Sequence, residues 1–305
     1  MDVNSVNQQA ETDFNRAMNK AFLSQIQHFL NTDRNRLLSF NDVKDILKPK
    51  NEVYRGTQIV PIKLIVGSEG RYRDFNKYFL PRVEHLRSRW KRVDEAHIKD
   101  IILPSIQLYE IGGVYFVRDG NHRVSVARAQ DVEFIDAEVT SLATEINITP
   151  AMTTEKIQEA LITYEKNIFY DRTEFGTLTN CYDLNFSSPG RYDVIYNHIL
   201  VHKYYLNENK EEELPFGEAL VSWYDNVYNP VIAIIREQWL LVNFHGRTEA
   251  DLYVWIIKHW DFLKKKYGSY SLAKAAGDFS QKYGQSRGRF FRFLAVLADR
   301  IFKDK

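Results

Sequence analysis

The chain of 305 residues contains a single cysteine, Cys181, which excludes an intrachain disulfide and any cysteine-rich zinc site. It also lacks net charge: 41 basic residues against 40 acidic leave +1, so no global field draws the protein to nucleic acid or to an anionic membrane. Any such binding must come from a local patch. No apolar run approaches the ~18–20 residues of a membrane span, and the opening "MDVNSVNQQAETDFNRAMNK" has neither the charged start nor the apolar core of a secretory signal. A cytoplasmic protein with no membrane partner is expected. There is no fixed-period repeat and no low-complexity tract, and "NENKEEE" reads as a solvated loop.

Hydrophobic residues at 44% and charged residues at 27% are ordinary globular values, and the length accommodates two cores. Phe14, Met18, Phe22, Ile26 and Phe29 or Leu30 recur at helical spacing; Asn41 is placed to cap a short helix that Pro49 closes. "QIVPIKLIVG" reads as one or two short strands with its proline at an edge or bend. "NKYFLPRVEHLRSRWKRV" and "DEAHIKDI" look helical on either side of Pro81. "LPSIQLYEIGGVYFVRDG" looks like a hairpin turned at Gly112-Gly113, and "FIDAEVTSL" like a last strand. From Thr154 the periodicity is helical almost to the end. Pro230 should kink or split one helix, and a threonine cap should open "RTEADLYVWIIKHWDFLKKKYG". The expected fold class is therefore α+β: an N-terminal helical segment over 1–50, a small mixed-sheet domain over 51–150 and an all-α domain over 151–305.

The stretch "YFVRDGNHRVSVARAQ" is the most informative. An apolar strand stops at Arg118-Asp119-Gly120-Asn121-His122-Arg123 and a short helix follows. An exposed helix start leaves N–H groups unpaired and a positive partial charge, so oxyanions settle there. Gly120 permits a tight turn or a close backbone approach, Asn121 is placed to cap, and His122 and Arg123 add donors. The plainer reading is a salt-bridged strand-to-helix turn. Asp119 sharpens the question, because a carboxylate ~4 Å from a phosphate oxygen costs on the order of 4 kcal/mol at an effective dielectric of ~20. Such a neighbour is tolerated if Mg²⁺ lies between the two, or if the acid accepts a proton during catalysis. Otherwise Asp119 simply pairs with Arg118, Arg123 or Arg73.

Other groupings are weaker. His198 and His202 sit four apart on one helix face, as metal ligands do, but no acid at zinc-protease spacing accompanies them. "PRVEHLRSRWKR" could meet nucleic-acid phosphates or be a solvated helix face. "RGRFFRF" mixes Arg with Phe, which suits base stacking and equally a docked amphipathic helix, and "SYSLAKAAGDFSQKYGQSRGRF" is a weak helix-turn-helix candidate. Trp223, Tyr224, Tyr228, Trp239, Tyr253, Trp255 and Trp260 read as the packing of the helical domain.

"GRYRDF" (Gly70 to Phe75) and "LPSIQLYEIGGVYFVRDGNHRVSVARAQ" (Leu103 to Gln130) resemble the two boxes of the ParB/sulfiredoxin-like fold, over roughly residues 57–142. In that superfamily the boxes surround a nucleotide's phosphates. Members include CTP-hydrolysing partition clamps, ATP-using sulfinate reductases and a free-serine kinase, and "DGNHR" is similar to the kinase-type turn. By position Arg71 and Arg73 match the first box and Asp119, Gly120, Asn121, His122 and Arg123 the second, so Arg71, Arg73, Gly120, Asn121, His122 and Arg123 are expected to hold phosphates, with Asp119 and His122 catalytic and Asp119 positioning Mg²⁺ or acting as base. Asn121 stands where sulfiredoxins have their cysteine, which argues against that reaction. "GSEGRYRDFNKYFLPR", "RVDEAHI", "SWYDNVYNPVI" and "HGRTEADLYVWIIKHWDFL" resemble bacterial proteins joining a ParB-like domain to a DUF4032-type helical domain. The expectation is a nucleotide-binding protein, in its enzymatic form an NTP hydrolase or phosphotransferase. The alternative is a ParB-like DNA-binding transcriptional regulator or clamp; a homodimer would suit either.

Overall fold

The computed structural model describes residues 3–27, 36–208, 210–237, 239, 241 and 244–257. They fall into two compact units, Met1–Ala160 and Leu161–Lys305, each described by itself. The fold is α+β, with a six-stranded mixed sheet in the first unit. The hairpin at Gly112-Gly113 forms as the sequence predicts. β4 (Ile106–Ile111) and β5 (Val114–Asp119) are antiparallel, and both glycines have the positive φ that a type I′ turn needs. β3 (Ile65–Ser68) and β1 (Leu38–Ser39) continue the sheet in parallel beyond β5. β6 (Phe134–Leu142) lies parallel to β4, and β2 (Glu52–Pro61) closes the far edge antiparallel to β6, with a bulge between Tyr54 and Gly56. As the "QIVPIKLIVG" pattern predicts, Pro61 sits at the end of an edge strand and β3 follows after one 3-10 turn.

Alternating strand residues serve two apolar layers. Ile65, Ile106, Leu108, Val117, Ala137 and Val139 face one side, where Phe14, Trp90, Val124 and Val126 cover them. These come from α1 (Val3–Gln27), α3 (Arg87–Ile98) and α4 (Asn121–Ala129). Val66, Tyr109, Ile111 and Phe116 face the other side, under Phe40 and Val43 of α2 (Phe40–Leu47) and Ile148 and Ile157 of later segments. The segment 1–50 is thus not a separate piece: α1 fills the same core as the sheet, and β1 is a strand of it. Ser39, not Asn41, caps α2, its hydroxyl accepting from the Asp42 N–H.

The helix expected before Pro81 does not form. The buried Asn76 side chain accepts from the N–H groups of Tyr78 and Leu80, both at 3.0 Å, and this local turn competes with helix there. The helix begins only at Arg87. From it Arg87 and Lys91 reach Glu11 on α1, and Trp90 donates to the Ser125 hydroxyl on α4 at 2.9 Å.

The three helices also meet at a buried polar contact. The Gln130 amide donates to Asp94 at 2.8 Å and to Asp13 at 3.2 Å, while the second oxygen of Asp94 has no partner. Burial, and then the negative charge of Asp13, push the Asp94 carboxyl above the usual aspartate range, partly offset by the Gln130 bond. The folded state therefore binds a proton here more tightly than the unfolded chain, so Asp94 penalises stability increasingly as pH rises from the usual aspartate range through its folded value. Asp94→Asn removes that penalty. The melting temperature of the variant, relative to wild type, is expected to rise between pH 4.5 and pH 7.5; a constant difference across those pH values would refute the linkage.

In the second unit, α5 (Thr154–Thr173), α6 (Phe175–Thr179), α7 (Arg191–Asn207), α8 (Phe216–Trp223) and α9 (Asn229–Glu237) supply helices, and residues 249–257 form another. Part of α5 belongs to the first unit. Between α8 and α9 the backbone widens into a π-turn, Tyr224–Tyr228, which ends two residues before Pro230. Proline offers no N–H and crowds the carbonyl four residues back, and the wider turn is how this helix absorbs it. Thr248 caps the helix over 249–257 as predicted: its hydroxyl accepts from the Asp251 N–H, and the Asp251 carboxylate accepts from the Thr248 N–H in return. Trp223, Tyr228 and Tyr253 are core residues. Trp239, by contrast, is 75% exposed and Trp255 is exposed as well, so the aromatic periodicity overstates the core. Trp260, "RGRFFRF", the helix-turn-helix candidate and the final helix lie outside the described residues. No helix among the described residues is long and apolar enough to cross a membrane.

Candidate functional site

Parallel pairing of β3 with β5 brings the chain leaving both strands to the same end of the sheet. The Ser68 hydroxyl and the Glu69 N–H both donate to the Val117 carbonyl, at 3.1 and 3.0 Å, which fastens the start of the Arg71 loop beside the β5–α4 turn. The C-terminal ends of parallel strands are where open sheets hold ligands. The two sequence boxes thus meet there.

Gly120 is the residue before the helix, with φ +108°, and an added Cβ would stand 2.4 Å from Ile106 Cγ2. It is required both for its backbone angle and for its lack of a side chain. The capping role expected of Asn121 is not what forms. Asn121 is the first residue of α4, the helix start has no side-chain cap, and the Asn121 Oδ1 atom is buried without a partner. The first-turn amides of α4 are therefore not used up by a cap.

His122 and Arg123 do not point at one place, because consecutive helix residues diverge by about 100°. Arg123 donates to the carbonyls of Pro104 and Ser105 and, at 2.6 Å, to the Asp119 carboxylate. Of the pairings open to Asp119 the structure takes this one, and the carboxylate remains 60% exposed. His122 turns inward instead. It is 5% exposed, lies edge-on to Phe75 with ring centroids 5.8 Å apart, and neither ring nitrogen has a hydrogen-bond partner. Burial, then the charges of Arg89, Arg71 and His85, lower its pKa to about 4, so the imidazole is neutral at physiological pH.

Those three side chains define the site's electrostatics. Arg71 comes from the first box and leans on Asp74 at 3.5 Å. His85 lies in the 3-10 turn Glu84–Leu86 before α3, and Arg89 lies on α3 itself. Arg89 makes no hydrogen bond or ion pair with any described residue. Arg73, assigned to the same role by resemblance, is exposed with its guanidinium 5.6 Å from the Tyr72 ring, and Arg118 lies over Tyr109. Arg89 and His85 were missed as site residues by sequence reasoning, which read the α3 charges as one patch. The helical angle separates them: Arg87 and Lys91, four apart, face α1, whereas Arg89 is turned about 200° from Arg87.

No family model matches this chain. No curated protein and no solved structure matches it either.

The expected metal site has little to build on. Among the described residues no group of three or more His, Cys, Asp or Glu side chains is placed to hold an ion, and Asp119 is engaged with Arg123. His198 and His202 have separate partners, Tyr253 at 3.2 Å and Ser222 at 3.0 Å, and burial lowers the pKa of His202. Cys181 is half-buried, donates to Asp183, and burial raises its pKa, so it is not a thiolate nucleophile.

Proposed function

We propose that the first unit binds the phosphate groups of a nucleotide at the start of α4, in the cytoplasm. The observation that carries this reading is the unpartnered, buried imidazole of His122 at a helix start, with Arg71, Arg89 and His85 around it. Buried polar groups in native proteins are ordinarily satisfied, and an orphan pair of ring nitrogens amid positive charge calls for an anion. The resemblance of the Gly70–Phe75 and Leu103–Gln130 boxes to ParB/sulfiredoxin-like proteins supports the same reading. Asp119 and Arg123 then act by holding the turn, through the bonds to Pro104 and Ser105. Mg²⁺ belongs to this reading as the counter-ion that a nucleoside triphosphate carries in, not as a resident ion. Hydrolysis or phosphoryl transfer is its enzymatic form. The DNA-binding alternative has less to stand on, since Arg87 and Lys91 are committed to Glu11.

A thermal-shift series with CTP, ATP, ADP and GTP, with and without Mg²⁺, tests the proposal. A ligand at 100 times its dissociation constant stabilises by about 2.7 kcal/mol. Arg89→Ala is expected to weaken the binding about 10- to 100-fold, the range for one lost charged hydrogen bond. It should leave the unliganded melting temperature almost unchanged, because Arg89 bonds to no described residue. Phosphate release in the same samples tests the enzymatic form. Equal affinity in the two proteins would remove Arg89 from the site, and no stabilisation by any of the four nucleotides would remove the nucleotide.

A further inference from the structure

His122 occupies an unusual position for a buried imidazole. Its neutral ring has one N–H to donate and one lone pair to offer, and neither is used. Arg71 belongs to the loop after β3, His85 and Arg89 to the turn and helix that follow, and Phe75 lies against the ring. The nearby carboxylates Asp119 and Asp74 are paired with Arg123 and Arg71. The charges acting on His122 are those of Arg89, Arg71 and His85, so an added proton would meet repulsion in the unliganded protein.

We propose that the start of α4 takes up a doubly charged tetrahedral oxyanion together with one proton, and that His122 holds this proton as an imidazolium donating to the anion. The inference rests on the phosphate reading and adds the charge state of the bound pair. Arg71 is already paired with Asp74, so a dianion facing Arg89 leaves one negative charge over, which favours the imidazolium, and an anion oxygen gives the ring N–H the acceptor it lacks. The proton comes from solvent as the anion enters and returns there as it leaves. A singly charged anion would be balanced by Arg89 alone and would leave the imidazole neutral. Burial and the lack of any hydrogen-bond partner keep the ring neutral in the free protein, where its pKa is lowered to about 4.

The sign is fixed by linkage: the protonated ring is the binding form, so affinity must increase as pH falls and level off only near the free value of about 4. Inorganic sulfate is the probe, because it stays doubly charged throughout the range and all pH dependence then belongs to the protein. His85 is an exposed second imidazole, so the measurement is made in the His85→Gln protein, in which binding is weaker but His122 is the one ring left at the site. Calorimetry from pH 7.5 down to pH 5.5 is expected to show sulfate affinity rising by up to about tenfold per pH unit, the limit for one coupled proton. In wild type, the carbon-13 signal of the His122 ring should move to its imidazolium position when sulfate is added at pH 6. This second measurement stands even if His122→Asn, which should give a flat pH profile, fails to fold. Sulfate binding with a flat profile and an unmoved ring signal would overturn the proton coupling and leave the phosphate site standing. Nucleotide binding without sulfate binding would count against it in the same way. No binding of sulfate or nucleotide at any pH would overturn both.

Discussion

Gly120→Ala is expected to destabilise the first unit by about 2–5 kcal/mol, the sum of a left-handed backbone strain of about 1–2 and an overpacking cost of about 1–3. Both terms are visible at this residue. Its φ is +108°, and the new methyl would stand 2.4 Å from Ile106 Cγ2 and 2.9 Å from Ile106 Cβ. Ile106 is fully buried on a central strand, so it has little room to withdraw. Relief must come from shifting the turn, which moves the α4 amides and the Arg123 bonds to Pro104 and Ser105 together. Denaturant unfolding followed by circular dichroism would show the loss, and sulfate titration at pH 5.5 should show weakened binding beyond what partial unfolding explains. A variant as stable as wild type would mean that the turn relaxes freely, and the case for a rigid anion-holding backbone would fall with it.

Trp90→Ala carries the other large effect, about 3–5 kcal/mol, as expected for deleting a fully buried tryptophan. Trp90 has no exposed surface, meets Phe14 of α1 edge-on at 5.5 Å between centroids, and donates to Ser125 of α4. It therefore joins three helices through one side chain, and it is the residue next to Arg89. Trp90→Phe keeps most of the ring and loses the donor, leaving the Ser125 hydroxyl to be satisfied elsewhere at a cost of about 1 kcal/mol. The two variants should thus unfold in the order Ala, Phe, wild type with increasing denaturant. An equal effect of both would place the energy in the hydrogen bond and not in the packing.

Much of this architecture is legible in the sequence because local signals agree. The paired glycines at 112 and 113 can hardly be anything but a hairpin turn, the alternation from Phe134 to Leu142 matches a strand, and Thr248 with Asp251 forms the cap its spacing announces. The site was legible as a location: Arg71 and the Asp119–Arg123 turn do converge on neighbouring strand ends. Its inner arrangement was not. Which of His122 and Arg123 faces the site depends on the angle at which α4 leaves β5, and which arginine of α3 joins them depends on α1 claiming Arg87 and Lys91 from another part of the chain. The missing helix before Pro81 has the same cause at shorter range, for Asn76 satisfies the amides of Tyr78 and Leu80 from its side chain.

The sheet's open edges bear on whether another strand can add to it. A long flat edge strand is a template on which another chain can add, and neither edge here offers one. β1 is only two residues long. β2 is long and carries exposed Val53, Tyr54 and Ile59, but the bulge between Tyr54 and Gly56 breaks its run of backbone groups, and Pro61 ends it without a donor. Exposed Arg55 and Lys63 put positive charge beside the apolar residues. A strand added to β2 would meet the bulge and the positive charge, so the irregular ribbon that closes the fold also guards its edge.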